Sequence, residues 1–310
     1  MDRFIRALIQ WQAVDRPAPA RTLTLEQVRR RYADSATRSR GGAEPVPVAS
    51  VTDQLLDGLD GGKFTVRTYL PLADRGRLVT FLHGGGWTVG DIDTHDSVCR
   101  RIATALGAVV VSVDYRRAPE HPHPGPLQDG IVAAEWAAAT FTGREHVIAG
   151  DSAGGGLSVG ISMHERDNGG ITFAAQLLVY PPADPAMRSE SIRTYATGYL
   201  GDVDDLRWYY EQYLTEPEHH TDPAIDLLNA DLRELAPTVV CTAEFDPLHD
   251  EGVELADRLA AAGVTVRHIP ALGLTHGFLL MADIVPSAAT ATSDVLAAVE
   301  EMLTSVPVAR

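Results

Sequence analysis

Cysteine is nearly missing: Cys99 and Cys241 are the only two in 310 residues. Two scattered thiols cannot make a disulfide framework, which excludes the small disulfide-stapled scaffolds and fits a reducing compartment. Cys241 lies in the apolar run TVVCTAEFD and reads as a small buried hydrophobe. Positive charge is also short. Lys and Arg number 26 against 42 Asp and Glu, a formal net charge of −16. That excess argues against nucleic acid or an anionic membrane surface as a partner, and says little about a small neutral substrate. Long apolar runs are absent too. None approaches the ~18 residues of a transmembrane helix, so no stable membrane insertion is expected. The opening MDRFIRALIQWQAVDRPAPA ends in a small-residue APA, but Arg6, Gln10 and Gln12 break any apolar signal core. The expectation is a mature, cytoplasmic protein.

What is present is an ordinary globular composition. Hydrophobic residues make up 45% and charged residues 22%, enough to bury a sizeable core. Residues 4–12 put Phe4, Leu8 and Trp11 on one helical face. A second helix follows in TLTLEQVRRRYADSA, with Thr24 as its cap and Leu25, Val28 and Tyr32 sharing a face. The linker GGAEPVPVAS then separates this N-terminal piece, residues 1–45, from the rest, 46–310.

Beyond the linker, strand and helix patterns alternate. Strands are expected at 48–56, 64–70, 78–82, 109–113, 146–150, 175–179, 238–243 and 265–270. Helices are expected at 96–106, 126–140, 153–166, 250–262 and 288–303. Runs such as AVVVSV and AQLLVY are apolar throughout, as parallel strands covered on both faces must be. The repeated order implies a doubly wound α/β sheet, with an antiparallel entry hairpin turning at DGLDGG. The long connection after Tyr180 carries one expected helix, DVDDLRWYYEQYL, with Leu206, Tyr209, Tyr210 and Tyr213 near one face. Insertions of that length at the C-terminal end of a strand tend to be lids.

Four stretches carry chemistry. In HVIAGDSAGGGLSVG, Gly150 and Gly154 bracket Ser152 as G-x-S-x-G, the pattern of a nucleophile on a sharp strand-to-helix turn. In FLHGGGWTVGD, glycines follow directly on a strand, so backbone N–H groups can approach a developing oxyanion closely. This stretch matches neither phosphate-loop pattern. In TAEFDPLHDEG, Asp246 falls just past an apolar strand, with Glu244, Asp250 and Glu251 as competing acids. In LGLTHGFLL, His276 follows the last strand on the same rim of the sheet. The chain order Ser152, Asp246, His276 is that of a hydrolase triad.

Together these stretches are specific. HGGGW at 83–87, VDYRRAPEHPHPGPLQD at 113–129, GDSAGGG at 150–156, DPLHDEG at 246–252 and HGF at 276–278 resemble the bacterial hormone-sensitive-lipase family of esterases, also called family IV. The resemblance implies an α/β-hydrolase fold: a mostly parallel eight-stranded sheet, helices on both faces, and a helical cap built from residues 1–45 and an insertion at 184–220. It implies Ser152 as nucleophile, His276 as base and Asp246 as its orienting acid, with Gly85, Gly86 and Ala153 donating to the oxyanion. Two positions depart from the family pattern: His249 stands where arginine is common, and Arg117 where leucine is common.

The implied activity is hydrolysis of short- to medium-chain acyl esters through an acyl-enzyme, with no metal and no cofactor. Asp91, Asp93, His95 and Asp96 read as a turn and helix start rather than a metal cluster, and His121 and His123 as part of a rigid Pro-rich loop. Trp87, Tyr180, Tyr209 and Phe278 are expected pocket walls, Tyr209 equally a packing residue of the cap. An amidase or N-/O-deacetylase would use the same triad. A non-catalytic small-molecule receptor on this fold would lack the histidine, which is present here. The last strands leave an edge compatible with a homodimer.

Overall fold

A computed structural model of the chain describes residues 1–14 and 17–305. Residues 15, 16 and 306–310, which the expected segments 1–45 and 46–310 include, lie outside the described residues. Two helices come first, α1 (Arg3–Val14) and α2 (Leu25–Ser39). The sheet region follows as β1 (Ser50–Asp57), β2 (Lys63–Leu70), β3 (Arg77–Leu82), α3 (Asp96–Leu106), β4 (Ala108–Asp114), α4 (Gly125–Thr140), β5 (Glu145–Asp151), α5 (Ala153–Asn168) and β6 (Ala175–Val179). The long connection holds α6 (Glu190–Thr194) and α7 (Val203–Tyr213). The chain closes with β7 (Thr238–Phe245), α8 (His249–Ala261), β8 (Val266–Thr275) and α9 (Pro286–Ser305).

The eight strands form one sheet in the order β1-β2-β4-β3-β5-β6-β7-β8. β2 pairs antiparallel with both β1 and β4, and every other neighbouring pair, from β4-β3 to β7-β8, is parallel. Strand side chains alternate between the two faces, and both faces are covered. Val79, Phe81, Val147, Val179 and Cys241 pack under α3 and α9. Leu78, Leu82, Val111 and Ile148 pack under α4 and α5, and Leu178 and Val240 under α8. Both thiols are free and buried, and burial pushes each up to about 12, so they are chemically quiet core residues. Among the described residues, no helix is long and apolar enough to cross a membrane.

The element pattern read from periodicity matches this architecture, with informative differences. β8 runs to Thr275, five residues beyond the expected 270. Pro270 and Gly273 are residues that usually weaken a strand. As an edge strand, however, β8 need not donate from Pro270, and an irregularity between Ala243 and Phe245 of β7 restores the pairing. The extension delivers the chain directly to His276. The α6 helix was not expected, because five residues are too few to show a period. In α1, Ile5 is fully buried against the sheet cluster, while Trp11 is 65% exposed. Phe4, Leu8 and Ile9 pack beside Ile5 on the same cluster, so the contact with the sheet is made by the first two turns of α1.

The α2 helix begins at a Thr24–Gln27 capping box. Its Val28 is buried, and Leu25 and Tyr32 pack with it against Val89, Trp208 and Tyr209. The α7 helix is thereby held on two sides. Trp208 and Tyr209 face α2, whereas Tyr210 and Tyr213 pack toward Trp87.

Candidate active site

Ser152 sits where β5 ends and α5 begins, with φ 51° and ψ −125°. A positive φ on a non-glycine residue is strained, at a cost of about 1–3 kcal/mol, and persists only where neighbours enforce it. Here Ser152 N–H donates to Val179 O at 2.8 Å, and the flanking backbone is too close for side chains. A Cβ on Gly150 would lie 2.2 Å from Gly154 O, and one on Gly154 would lie 1.9 Å from Leu82 O. The two glycines that flank the turn thus leave no room for side chains around Ser152.

His276 reaches it from the end of β8. Its Nε2 lies 2.9 Å from Ser152 Oγ, and its Nδ1 lies 2.7 Å from Asp246 Oδ2. Asp246 is fully buried, and its Oδ1 accepts from Leu248 N–H at 2.8 Å. A carboxylate accepts, so Nδ1 carries the proton and Nε2 is left to accept from the serine hydroxyl. Burial pulls the His276 pKa down. The Asp246 carboxylate, by charge and by hydrogen bond, and the nearby Asp151 outweigh it, so the net shift is upward from the ordinary histidine value.

The competing acids are engaged elsewhere. Glu244 Oε2 accepts from Gly273 N–H at 2.6 Å, and Asp250 Oδ2 from Ser191 N–H at 2.8 Å. Glu251 is buried, and its Oε1 accepts from Ala183 N–H at 2.8 Å and Asp184 N–H at 3.3 Å.

The glycine loop lies beside the serine. Gly86 has φ 55°, and a Cβ there would meet the Tyr209 ring at 2.3 Å, so Tyr209 closes directly over it. Among the described residues, none accepts a hydrogen bond from the N–H of Gly85, Gly86 or Ala153. Trp87 and Tyr210, with Gly156, Leu157, Pro182 and Leu227, line a small cavity one turn along α5 from Ser152. Tyr180 and Phe278, expected as pocket walls, lie beside His276. Both are buried, with the Tyr180 ring 4.5 Å from His276 and Phe278 edge-on behind it at 5.3 Å.

Sequence reasoning missed Asp151 and Tyr210. Asp151 is buried and pairs with Gly84 N–H at 2.8 Å and Tyr180 O–H at 3.3 Å, joining the glycine loop to the residue behind His276. Burial raises its pKa, but His95 and the Gly84 N–H more than offset this, leaving it lowered. An acid at the end of an apolar strand was the available signal. The Asp91–Asp96 stretch is a hydrogen-bonded turn: Asp91 Oδ1 accepts from Asp93 and Thr94 N–H, Asp93 pairs with Arg67, and Asp96 pairs with Arg100.

A family model for the alpha/beta hydrolase fold matches residues 79–280. A carboxylic ester hydrolase of Mycobacterium tuberculosis, LipN, is 37% identical over 270 residues, covering 83% of this chain and 71% of that protein. An ethyl acetate hydrolase of Pseudomonas putida is 33% identical over 281 residues, covering 87% and 88%. A solved hyperthermophilic esterase from Pyrobaculum calidifontis superposes with a TM-score of 0.91 at 33% identity, covering 97% of this chain and 98% of that one. With two thirds of the chain inside the family model and its fold shared with the solved esterase, the protein belongs to the α/β-hydrolase family and, within it, to the hormone-sensitive-lipase-like, family IV carboxylic ester hydrolases.

Proposed function

We propose that the protein hydrolyses short- to medium-chain acyl esters through Ser152, His276 and Asp246, by way of an acyl-enzyme. The observation that carries this reading is the continuous chain from Ser152 Oγ to His276 Nε2 at 2.9 Å and from His276 Nδ1 to Asp246 at 2.7 Å. Ser152 Oγ attacks the ester carbonyl carbon while its proton passes to Nε2. Asp246 holds the tautomer and stabilises the imidazolium. The carbonyl oxygen, now negative, takes hydrogen bonds from the N–H groups of Gly85, Gly86 and Ala153. The C–O bond to the alcohol breaks, and His276 gives the proton to that leaving oxygen. Water repeats the sequence on the acyl-enzyme, releases the acid and restores Ser152.

Residues 1–45 and the 184–220 insertion act together as a cap. Supporting this, Ala20 N–H donates to Asp205 Oδ1 at 2.7 Å, Arg31 pairs with Asp205 at 3.3 Å, and Tyr209 lies over Gly86.

The test is a series of p-nitrophenyl esters from acetate to palmitate, with Ser152→Ala as control. Turnover should be highest at or below about eight acyl carbons, the bound implied by the family resemblance together with a lid over the site. Ser152→Ala should lose about 10⁴-fold in kcat, and an organophosphonate should label the wild type but not the variant. Near-wild-type turnover by Ser152→Ala would overturn the mechanism. Faster cleavage of anilides than of esters with the same acyl group would make the enzyme an amidase.

A further inference from the structure

A glycine-rich loop does not hold its own shape, because glycine reaches more backbone conformations than any other residue. Residues 84–90 nevertheless hold a defined path, and their carbonyl oxygens show how. Gly85 O accepts from Thr88 N–H at 3.1 Å and Val89 N–H at 2.9 Å. Thr88 O accepts from Arg29 Nε at 3.0 Å. Gly90 O accepts from Arg117 Nη1. Trp87 O accepts from Ala118 N–H at 2.9 Å.

In a trans peptide the C=O and the following N–H point in opposite directions, so holding the oxygen aims the N–H. Arg29 holds Thr88 O and thereby turns the Val89 N–H toward Gly85 O. Val89 and Thr88 hold Gly85 O and thereby aim the Gly86 N–H. Two peptide planes thus connect the Arg29 guanidinium to a proposed oxyanion donor. The same guanidinium donates to Ala118 O at 3.1 Å and to both oxygens of Glu120 at 2.7 Å. One planar fork therefore bridges the loop and the 118–120 segment that also braces it. Arg117 secures the loop's far end. It stands where leucine is common in the family, and leucine has nothing to donate.

Arg29 does not belong to the sheet that carries the loop. It projects from α2, whose neighbours on α7 include Tyr209 over Gly86. We propose that Arg29 and Arg117 are positioning residues for the oxyanion loop, so that the seating of α2 sets the aim of the N–H groups that meet the developing charge. This inference rests on Gly85 and Gly86 serving as oxyanion donors in ester hydrolysis. Each arginine acts through a backbone carbonyl of the loop. Their contribution belongs to the transition state, where the charge is largest, and not to ground-state binding.

The experiment uses the full chain with Arg29→Met, Arg117→Leu, the double variant and Arg29→Lys, assayed on p-nitrophenyl butyrate. Butaneboronic acid, which becomes tetrahedral on the serine, serves as transition-state probe. Each single loss should lower kcat by about tenfold to a hundredfold, with KM within about twofold. Boronate affinity should fall in step with kcat, and Arg29→Lys should recover part of it. Stoichiometric phosphonate labelling counts intact sites, so kcat is read per labelled site. Wild-type kcat per site and unchanged boronate affinity in the double variant would overturn the proposal, and so would a loss confined to KM. A wild type that neither hydrolyses the ester nor takes the label would overturn the esterase reading beneath it instead.

Discussion

At the scale of single residues, the proposed mechanism depends on the state of one imidazole. His276 must be neutral to accept the serine proton, and its pKa is raised because the Asp246 carboxylate and Asp151 outweigh its burial. Protonation therefore removes the base as pH falls. The expected kcat/KM profile rises with pH through a midpoint above the ordinary histidine value of about 6.5. Asp246→Asn removes the main favourable partner of the imidazolium. Its kcat should fall by about 10³–10⁴-fold and its midpoint should move down. A pH–rate series on both proteins, with folding checked at each pH, measures this. A midpoint that does not respond to Asp246→Asn would mean that another carboxylate orients the histidine, and Asp250→Asn is the comparison to make.

At the scale of elements, the buried Glu251 ties α8 to the turn after β6 through the N–H groups of Ala183 and Asp184. Burial raises its pKa, and the two N–H groups lower it by less, so the carboxyl is pushed up to about 8. In the unfolded chain it would ionise near about 4.3. Between those values the folded protein binds the extra proton, so the contribution of Glu251 to stability declines as pH rises. Glu251→Gln keeps an acceptor for the two N–H groups and cannot ionise. Its melting temperature relative to wild type should therefore climb between pH 5 and about 8, then level off. Thermal melts of both proteins across that range test it; a constant difference would place the Glu251 pKa in its ordinary range.

At the scale of the whole molecule, the N-terminal segment divides between two tasks. The α1 helix buries Ile5 in the main sheet cluster, while α2 packs on α7 and reaches the glycine loop. Deleting residues 1–45 should thus do two things. Melting should fall, because the sheet face under α1 and the Val89–Trp208 surface under α2 become wet. The acyl-chain profile should broaden and kcat should drop, because the proposed lid and the Arg29 clamp leave together. Differential scanning calorimetry and the p-nitrophenyl ester series measure the two effects separately. An unchanged profile with unchanged melting would mean that the segment is a passive tail.

The sequence by itself determined the alternation of elements, the G-x-S-x-G turn around Ser152 and the place of His276 after the last strand, with Asp246 one of four acids offered between them. These are local facts: a period along the chain, a glycine where a neighbour's carbonyl intrudes, a motif of a few residues. Which acid meets His276 depended on how β8 pairs past Pro270 and on where Leu248 caps the Asp246 turn. That Tyr180 backs the histidine, that Tyr210 and not Tyr209 shares the cavity with Trp87, and that Arg29 grips Thr88 are contacts between distant parts of the chain. No periodicity encodes such a meeting, because it is set by the packing of whole elements across the sheet rim. Local spacing fixes which groups are offered to the site; only the close-packed interior decides which of them touch.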